Sequence, residues 1–185
     1  MDRQQNIAIR MQRAVQAGEI QGMVLALGDR HGTRMEAGFG SRTLGGAEAM
    51  APDSVFWIAS MTKAITGAAA MMLVESGKLS LDAPASTLVP GIGALGVLEG
   101  FDEAGQPKLR PAKRPITLRH LLTHTSGYAY DMWSAEIARF RKVTGTPAIA
   151  TCRNAALTLP LLFDPGEDWT YGIGIDWACK MIEAA

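Results

Sequence analysis

Apolar positions along this chain alternate between helical and extended spacing, and the switches mark out its elements. From Gln4 to Ala17, Ile7, Ile9 and Met11 interleave with Arg10 and Arg13, which predicts an amphipathic helix ending near Gly18. Met23 to Leu27 is a short apolar run, Gly28-Asp29-Arg30-His31-Gly32 is turn chemistry, and Thr33 to Phe39 is a second run. Two runs around a Gly/Asp turn predict an antiparallel hairpin. Gly38, Gly40, Gly45 and Gly46 turn the next stretch into a loop, and Val55 to Ile58 reads as a short strand or an extended entry. From Ser60 to Glu75, Ile65, Ala68, Ala69, Met72 and Leu73 recur three and four apart, the pattern of a helix, with Gly77 placed to stop it.

The second half is less regular. Gly91 to Pro115 is rich in glycine and proline without a sustained period and reads as a long surface excursion. Thr117 is a good N-cap for a short helix, Leu118 to Thr123, broken at Ser126-Gly127. Ala135 to Lys142 and Thr151 to Leu159 read as helices, Asp164-Pro165-Gly166-Glu167 as a turn, and Gly174 to Ala185 as a final helix. The layout divides into residues 1–59, an N-terminal helix with the first sheet strands, and residues 60–185, a predominantly helical region. One hairpin is marginal by itself and needs more strands or a packed face. The expectation is therefore either helices that cover it or chain that lies outside this sequence.

Composition narrows the function without naming it. Apolar residues make up 48% of the 185 and charged residues 19%, which suits a chain with a real core. Eighteen basic and eighteen acidic side chains balance, so nothing electrostatic calls for nucleic acid or an anionic membrane. The polar start, Met1-Asp2-Arg3-Gln4-Gln5, has no signal-type apolar core, and no apolar stretch is long enough to span a bilayer; the expected location is cytoplasmic. Cys152 and Cys179 stand far apart and are expected to be inert core thiols.

The candidate chemistry lies in Ser60-Met61-Thr62-Lys63. Positions i and i+3 share a helix face, so a first-turn serine sits beside the lysine amine. Serine attacks well only if a neighbour takes its proton, and lysine does so only with a lowered pKa. The helix N-terminus adds partial positive charge suited to a developing oxyanion. Alone, the tetrapeptide reads more readily as an N-cap serine followed by a snorkelling lysine than as a catalytic pair.

Its surroundings decide between the two. The stretch Phe56-Trp57-Ile58-Ala59-Ser60-Met61-Thr62-Lys63 and the later run Ala70 to Asp82 closely resemble the serine β-lactamase-like hydrolases. That family comprises class C β-lactamases, D-alanyl-D-alanine carboxypeptidases and family VIII carboxylesterases. Ile116 to Gly127, with His120-Leu121-Leu122-Thr123-His124-Thr125-Ser126-Gly127, is similar to the family's helix-and-turn signature, and Pro165 to Tyr171 to the block carrying its tyrosine. The resemblance implies an α/β plus α, β-lactamase-like fold, an antiparallel sheet flanked by helices plus a helical domain, here incomplete. It implies Ser60 as acylated nucleophile, Lys63 and Tyr171 as its proton relay, and no cofactor or metal. Which of the two is the base stays open.

Two departures shape the expected substrate. Class C β-lactamases carry Tyr-x-Asn, where the asparagine contacts the antibiotic's amide; this chain has Tyr171-Gly172-Ile173. An isoleucine offers no such hydrogen bond, which together with the missing export signal favours a small-molecule ester and a carboxylesterase. Family members also continue into further strands, one supplying a second oxyanion N–H. A second chain carrying that C-terminal half is the expected partner, without which the enzyme would be inactive. β-Lactam or D-alanyl peptide hydrolysis is the rival chemistry, and a non-catalytic assembly fragment the rival class.

Other candidates fall away on spacing. His120 and His124 stand at i and i+4 but lack the glutamate of a zinc helix, so structural hydrogen bonding is expected of both. Ser126 lacks a G-x-S-x-G frame and reads as turn chemistry. Glycines 91, 93, 96 and 100 form no nucleotide loop. Tyr128, Trp133 and Trp169 are divided between pocket lining and core packing.

Overall fold

The first amphipathic segment forms helix α1 (Arg3–Gln16), and the two extended runs form β1 (Gly22–Asp29) and β2 (Gly32–Gly40). The strands pair antiparallel with Leu25 opposite Ala37, and the register slips between Leu27 and Gly28 on entering the turn. In that turn the Asp29 carboxylate accepts from the His31 backbone N–H at 2.7 Å and from Arg34 Nε at 2.7 Å. The computed structural model describes residues 3–185 and resolves into two compact units, one ending at Ile58 and one spanning Ala59–Ala185. The first unit is thin: α1 buries none of its described residues, and Phe39 is the one buried apolar side chain described there. Val55 to Ile58 is irregular chain, the extended entry rather than a strand.

The second unit opens on a 3₁₀ turn, Ala59–Met61, that feeds helix α2 (Thr62–Glu75). Ser76 caps α2, and Gly77 follows with φ of 74°, a left-handed conformation that glycine adopts without steric cost. Thr66 and Ala70 form the buried face of α2, while Met61, Ile65 and Met72, at helical spacing on another face, stay exposed. A helix apolar on nearly every side is the type that is normally covered all round.

The stretch 91–115 is not a surface excursion. It contains a second hairpin, β3 (Val97–Phe101) paired antiparallel with β4 (Pro107–Arg110), and buries Ile92, Val97 and Leu98, with Ile116 buried just beyond. Leu161 extends this structure, exchanging backbone hydrogen bonds with Gly96 and Leu98 at 2.8 Å. Glycine-bearing turns had broken the apolar spacing into pieces too short to show a period. Thr117 caps α3 (Leu118–Leu122) in a reciprocal capping box: its side chain accepts from the His120 N–H, and its own N–H donates to His120 Nδ1, both at 3.3 Å.

Helix α4 (Ala135–Thr144) starts at Ser134, whose Oγ accepts from the Ile137 N–H. The helix expected over 151–159 is instead two 3₁₀ turns, Ile149–Thr151 and Asn154–Leu157, separated by Cys152 at a φ of 54° that no α-helix continues through. Helix α5 (Gly174–Ala184) closes the unit. Its buried Trp177, Ala178 and Met181 join Leu118, Leu121, Ile137, Phe140 and Leu161 in one core. Truncating a fully buried leucine such as Leu118 removes about 2–5 kcal/mol from such a core.

Beside that core lies a buried carboxylate. Asp164, with no exposed surface, accepts from Arg110 through Nη1 at 2.9 Å and Nη2 at 2.7 Å, from the Lys113 N–H at 2.8 Å, and pairs with Lys113 Nζ at 3.3 Å. These bonds tie the second hairpin to the turn before Tyr171, and hydrogen bonding to Arg110 holds the Asp164 carboxyl far below the usual carboxylate range. The two cysteines are free thiols; Cys152 is exposed rather than in the core, and Cys179 is partly buried. No helix among the described residues is long and apolar enough to cross a membrane.

Candidate active site

Ser60 lies in the 3₁₀ turn, one residue after Ala59, whose φ of 44° is left-handed and strained for a residue with a Cβ. Strain of this kind costs on the order of 1–3 kcal/mol and is held only where surrounding structure enforces it. Lys63 is in the first turn of α2, and its Nζ donates to Ser60 Oγ at 3.1 Å. Tyr171 comes from 111 residues further on, and its hydroxyl donates to Ser60 Oγ at 2.8 Å. All three residues singled out from sequence thus meet at one oxygen.

The turn after α3 explains how Tyr171 is delivered. The His124 carbonyl accepts from the Thr170 N–H at 3.0 Å and the Thr125 carbonyl from the Gly166 N–H at 2.7 Å. Gly172 packs so closely on the Tyr128 carbonyl that a Cβ there would collide with it. The two sequence blocks that looked like separate signatures are therefore two sides of one contact. His124 itself has a φ of 59°, and its ring meets Tyr171 edge-on at 4.8 Å between centroids. His120 fulfils the structural role expected of it, but His124 does not: its Nδ1 is buried and has no hydrogen-bond partner among the described residues.

The electrostatics divide the relay. Burial works to lower the Lys63 pKa, but its interactions with Tyr171 and Tyr130 together outweigh burial and hold it above the ordinary lysine value. Hydrogen bonding to Lys63, then to Ser60, pulls the Tyr171 phenol below its ordinary value. Lys63 thus lacks the lowered pKa that a lysine base needs, and of the two groups the phenol is the one whose proton is loosened.

Aromatic side chains surround this pair. The Tyr130 and Trp133 rings each lie 5.3 Å from that of Tyr171, and Trp169 packs edge-on against His124 at 6.2 Å. Trp133 and Trp169 are exposed beside Tyr171, whereas Tyr128 is core: its hydroxyl accepts from the Gly93 N–H at 2.8 Å and its ring stacks on Trp177. Ser126 is buried turn chemistry, as its sequence frame implies. Ile173 corrects an expectation. Its side chain is 0% exposed within the core, so it does not face a substrate and says nothing about ester against amide.

Tyr130 and Asp176 escaped the sequence reading. Tyr130 stands two residues from the core Tyr128 in non-helical chain, where no periodicity assigns its side chain to the site, yet its ring lies beside that of Tyr171. Asp176, in the first turn of α5, is partly buried, and burial pushes its carboxyl up. An apolar cleft of about 570 Å³ borders Lys63 and His124, walled by Ala64, Gly67, Leu122 and Ile175.

Comparison with known proteins matches this architecture. The chain is 40% identical over 177 residues to a lovastatin esterase of Penicillium rubens, which covers 93% of this chain and 44% of the relative. It is 36% identical over 180 residues to a monacolin J acid methylbutanoyltransferase of Aspergillus terreus, again 94% of this chain and 44% of the relative. Among solved structures, a mutant simvastatin synthase from Aspergillus terreus superposes with a TM-score of 0.84 at 36% identity, over 97% of this chain and 47% of that one. EstCE1, a hydrolase with promiscuous acyltransferase activity, shares the fold at a TM-score of 0.75 and 24% identity. The chain spans less than half the length of the curated relatives it matches. The β-lactamase family model covers residues 7–177, and the chain belongs to the β-lactamase family, with about half of that fold in hand.

Proposed function

We propose that this chain carries the nucleophile half of a serine carboxylesterase that works through an acyl-enzyme on Ser60. The observation that carries the proposal is the convergence of Lys63 Nζ and the Tyr171 hydroxyl on Ser60 Oγ, at 3.1 and 2.8 Å. An O···O separation of 2.8 Å serves proton transfer in either direction. With Tyr171 as phenolate, Ser60 gives up its proton to it while Oγ bonds to the ester carbonyl carbon. In this reading the Ser60 backbone N–H meets the oxyanion. Collapse of the tetrahedral intermediate breaks the ester C–O bond, and Tyr171 returns the proton to the departing alkoxide. Water, deprotonated by Tyr171, then bonds to the acyl carbon; the bond from that carbon to Ser60 Oγ breaks, Tyr171 returns the proton to Oγ, and the acid leaves. Lys63 stays an ammonium throughout and stabilises the phenolate.

Two features support an apolar ester as substrate: the exposed Trp133 and Trp169 beside Tyr171, and relatives named for a lovastatin esterase and for acyl transfer. A second reading follows from the latter names, in which an alcohol rather than water takes the acyl group from Ser60. The full reaction in this proposal also needs the later strands of the fold. A complementary polypeptide carrying them would cover Met61 in the 3₁₀ turn and Ile65 and Met72 on α2.

Intact mass after treatment with a fluorophosphonate tests the nucleophile. A single adduct on Ser60, absent in Ser60→Ala, is expected with the chain alone or with a complementary C-terminal half; no adduct in either case overturns the enzyme proposal. Faster turnover of a chromogenic cephalosporin than of a p-nitrophenyl ester would replace the ester reading with β-lactam hydrolysis. Product analysis with an added alcohol separates hydrolysis from acyl transfer.

A further inference from the structure

Lysine reaches its target through four freely rotating bonds, and one hydrogen bond to a serine does not fix where its ammonium sits. Here the Lys63 ammonium is bracketed. It lies 5.0 Å from the ring centroid of Tyr171 and 5.6 Å from that of Tyr130, and those two rings are themselves 5.3 Å apart. The two phenols differ in surroundings. Tyr171 has Ser60 and Lys63 at its oxygen, whereas Tyr130 is half-buried, its ring edge-on to Trp133 at 5.7 Å. We infer that Tyr130 is a positioning residue, a second phenol that stays protonated and holds the Lys63 ammonium against Ser60 and Tyr171.

Physical chemistry assigns the roles in that order. Burial pushes the Tyr130 phenol up, so it remains a neutral hydroxyl beside the ammonium, while its ring attracts the cation. Two phenols of equal acidity beside one ammonium would compete to ionise. Burying one of them leaves Tyr171 as the phenol that exchanges its proton with Ser60. The charged and titratable groups facing Lys63 come from every neighbouring element: Tyr130 from the chain before α4, His124 from the turn after α3, Tyr171 from the lead into α5 and Asp176 from α5 itself. Asp176 also acts on Tyr130 and Tyr171, raising both. Among these, Tyr130 and Tyr171 raise the Lys63 pKa by hydrogen bonding.

The inference rests on the proposed relay but is tested apart from it. The Lys63 ammonium is followed directly in the full chain by the pH dependence of its ε-carbon resonance in ¹³C-lysine-labelled protein, assigned with Lys63→Arg. Tyr130→Phe keeps the ring and removes only the hydroxyl, so its expected result is an unchanged fold with the Lys63 midpoint moved to lower pH. Tyr130→Leu, which removes the ring as well, moves it further. An unchanged midpoint in both variants overturns the inference, whatever the activity. In the chemical arm, the rate of fluorophosphonate labelling of Ser60 is measured across pH. Tyr130→Phe is expected to label about tenfold more slowly, with its alkaline limb displaced to lower pH. A uniformly slower rate with an unmoved limb means packing alone and also overturns it. If wild-type Ser60 takes no label while the Lys63 midpoint still shifts in Tyr130→Phe, the relay proposal fails and the positioning of Lys63 stands.

Discussion

Asp164 and Lys63 are charged groups in the same unit, yet their surroundings differ at every point. Around Asp164 the carboxylate is fully buried and its oxygens accept from two guanidinium nitrogens, a backbone N–H and an ammonium. Around Lys63 the partners are a serine hydroxyl and two phenols, all uncharged in their resting forms, and the group is only partly buried. The first arrangement locks one protonation state, because removing the proton's competitor would strand a buried charge. In the proposed relay the second leaves one proton free to move, between the Tyr171 hydroxyl and Ser60 Oγ, because no opposite charge fixes either group. Saturation with opposite charge marks structure here, and charge held by titratable neutral groups marks chemistry.

The largest effects that would break this contrast lie at Ser60 and Tyr171. Ser60→Ala is expected to abolish fluorophosphonate adduct formation completely. Tyr171→Phe is expected to slow it by roughly 10²–10⁴-fold, the usual contribution of a positioned base. The thermal transition stays in place for both, because neither side chain belongs to the core. Labelling of Tyr171→Phe at the wild-type rate would remove the phenol from the relay and return the base to Lys63.

Asp164→Asn should do the reverse. The amide leaves Arg110 and Lys113 beside a neutral group, so the melting temperature at neutral pH drops clearly, while the pH profile of Ser60 labelling in the folded protein keeps its shape. A shifted profile with unchanged stability would mean that the two clusters are one. A Leu118→Ala variant calibrates the loss, at about 2–5 kcal/mol for a cavity in the same core.

The pH dependence of stability sharpens the contrast further. A carboxyl held below its ordinary value stabilises the fold at every pH above the unfolded value of about 4, and that contribution is lost as pH falls through the depressed folded value. Wild-type protein should therefore lose stability on acidification below about pH 4. Asp164→Asn should show a flatter acid limb in a series of thermal melts. Identical limbs would show that other carboxylates govern acid unfolding.

These outcomes also show what a sequence can and cannot carry. α1, the first hairpin, α2 and α5 were legible because their apolar spacing is continuous, and α3 because Thr117 announces its cap. The second hairpin was not, since Gly96, Gly100 and Gly105 interrupt it and its partners, Leu161 and Asp164, lie more than fifty residues away. The meeting of Ser60, Lys63 and Tyr171 rested on family resemblance, as no local spacing joins residues 111 positions apart. The substrate inference drawn from Ile173 failed because the tyrosine's neighbours follow the chain into a buried helix start, where exposure and not sequence position decides what faces a ligand.

The smallest expected effect completes the comparison. Asp82 and Arg119 form a bidentate pair at 2.7 and 2.8 Å, as short as the bonds around Asp164, but their side chains are 68% and 53% exposed. Geometry alone would rank the two pairs together. Solvent separates them: water competes for both partners, salt screens the attraction, and two long side chains must be ordered to form it. Asp82→Asn is therefore expected to move the melting temperature far less than Asp164→Asn, with no change in Ser60 labelling. Whatever difference appears at low ionic strength should vanish in high salt, whereas the Asp164→Asn deficit should persist. A loss at Asp82 equal to that at Asp164 would show that bond geometry, not burial, sets the worth of an ion pair in this fold.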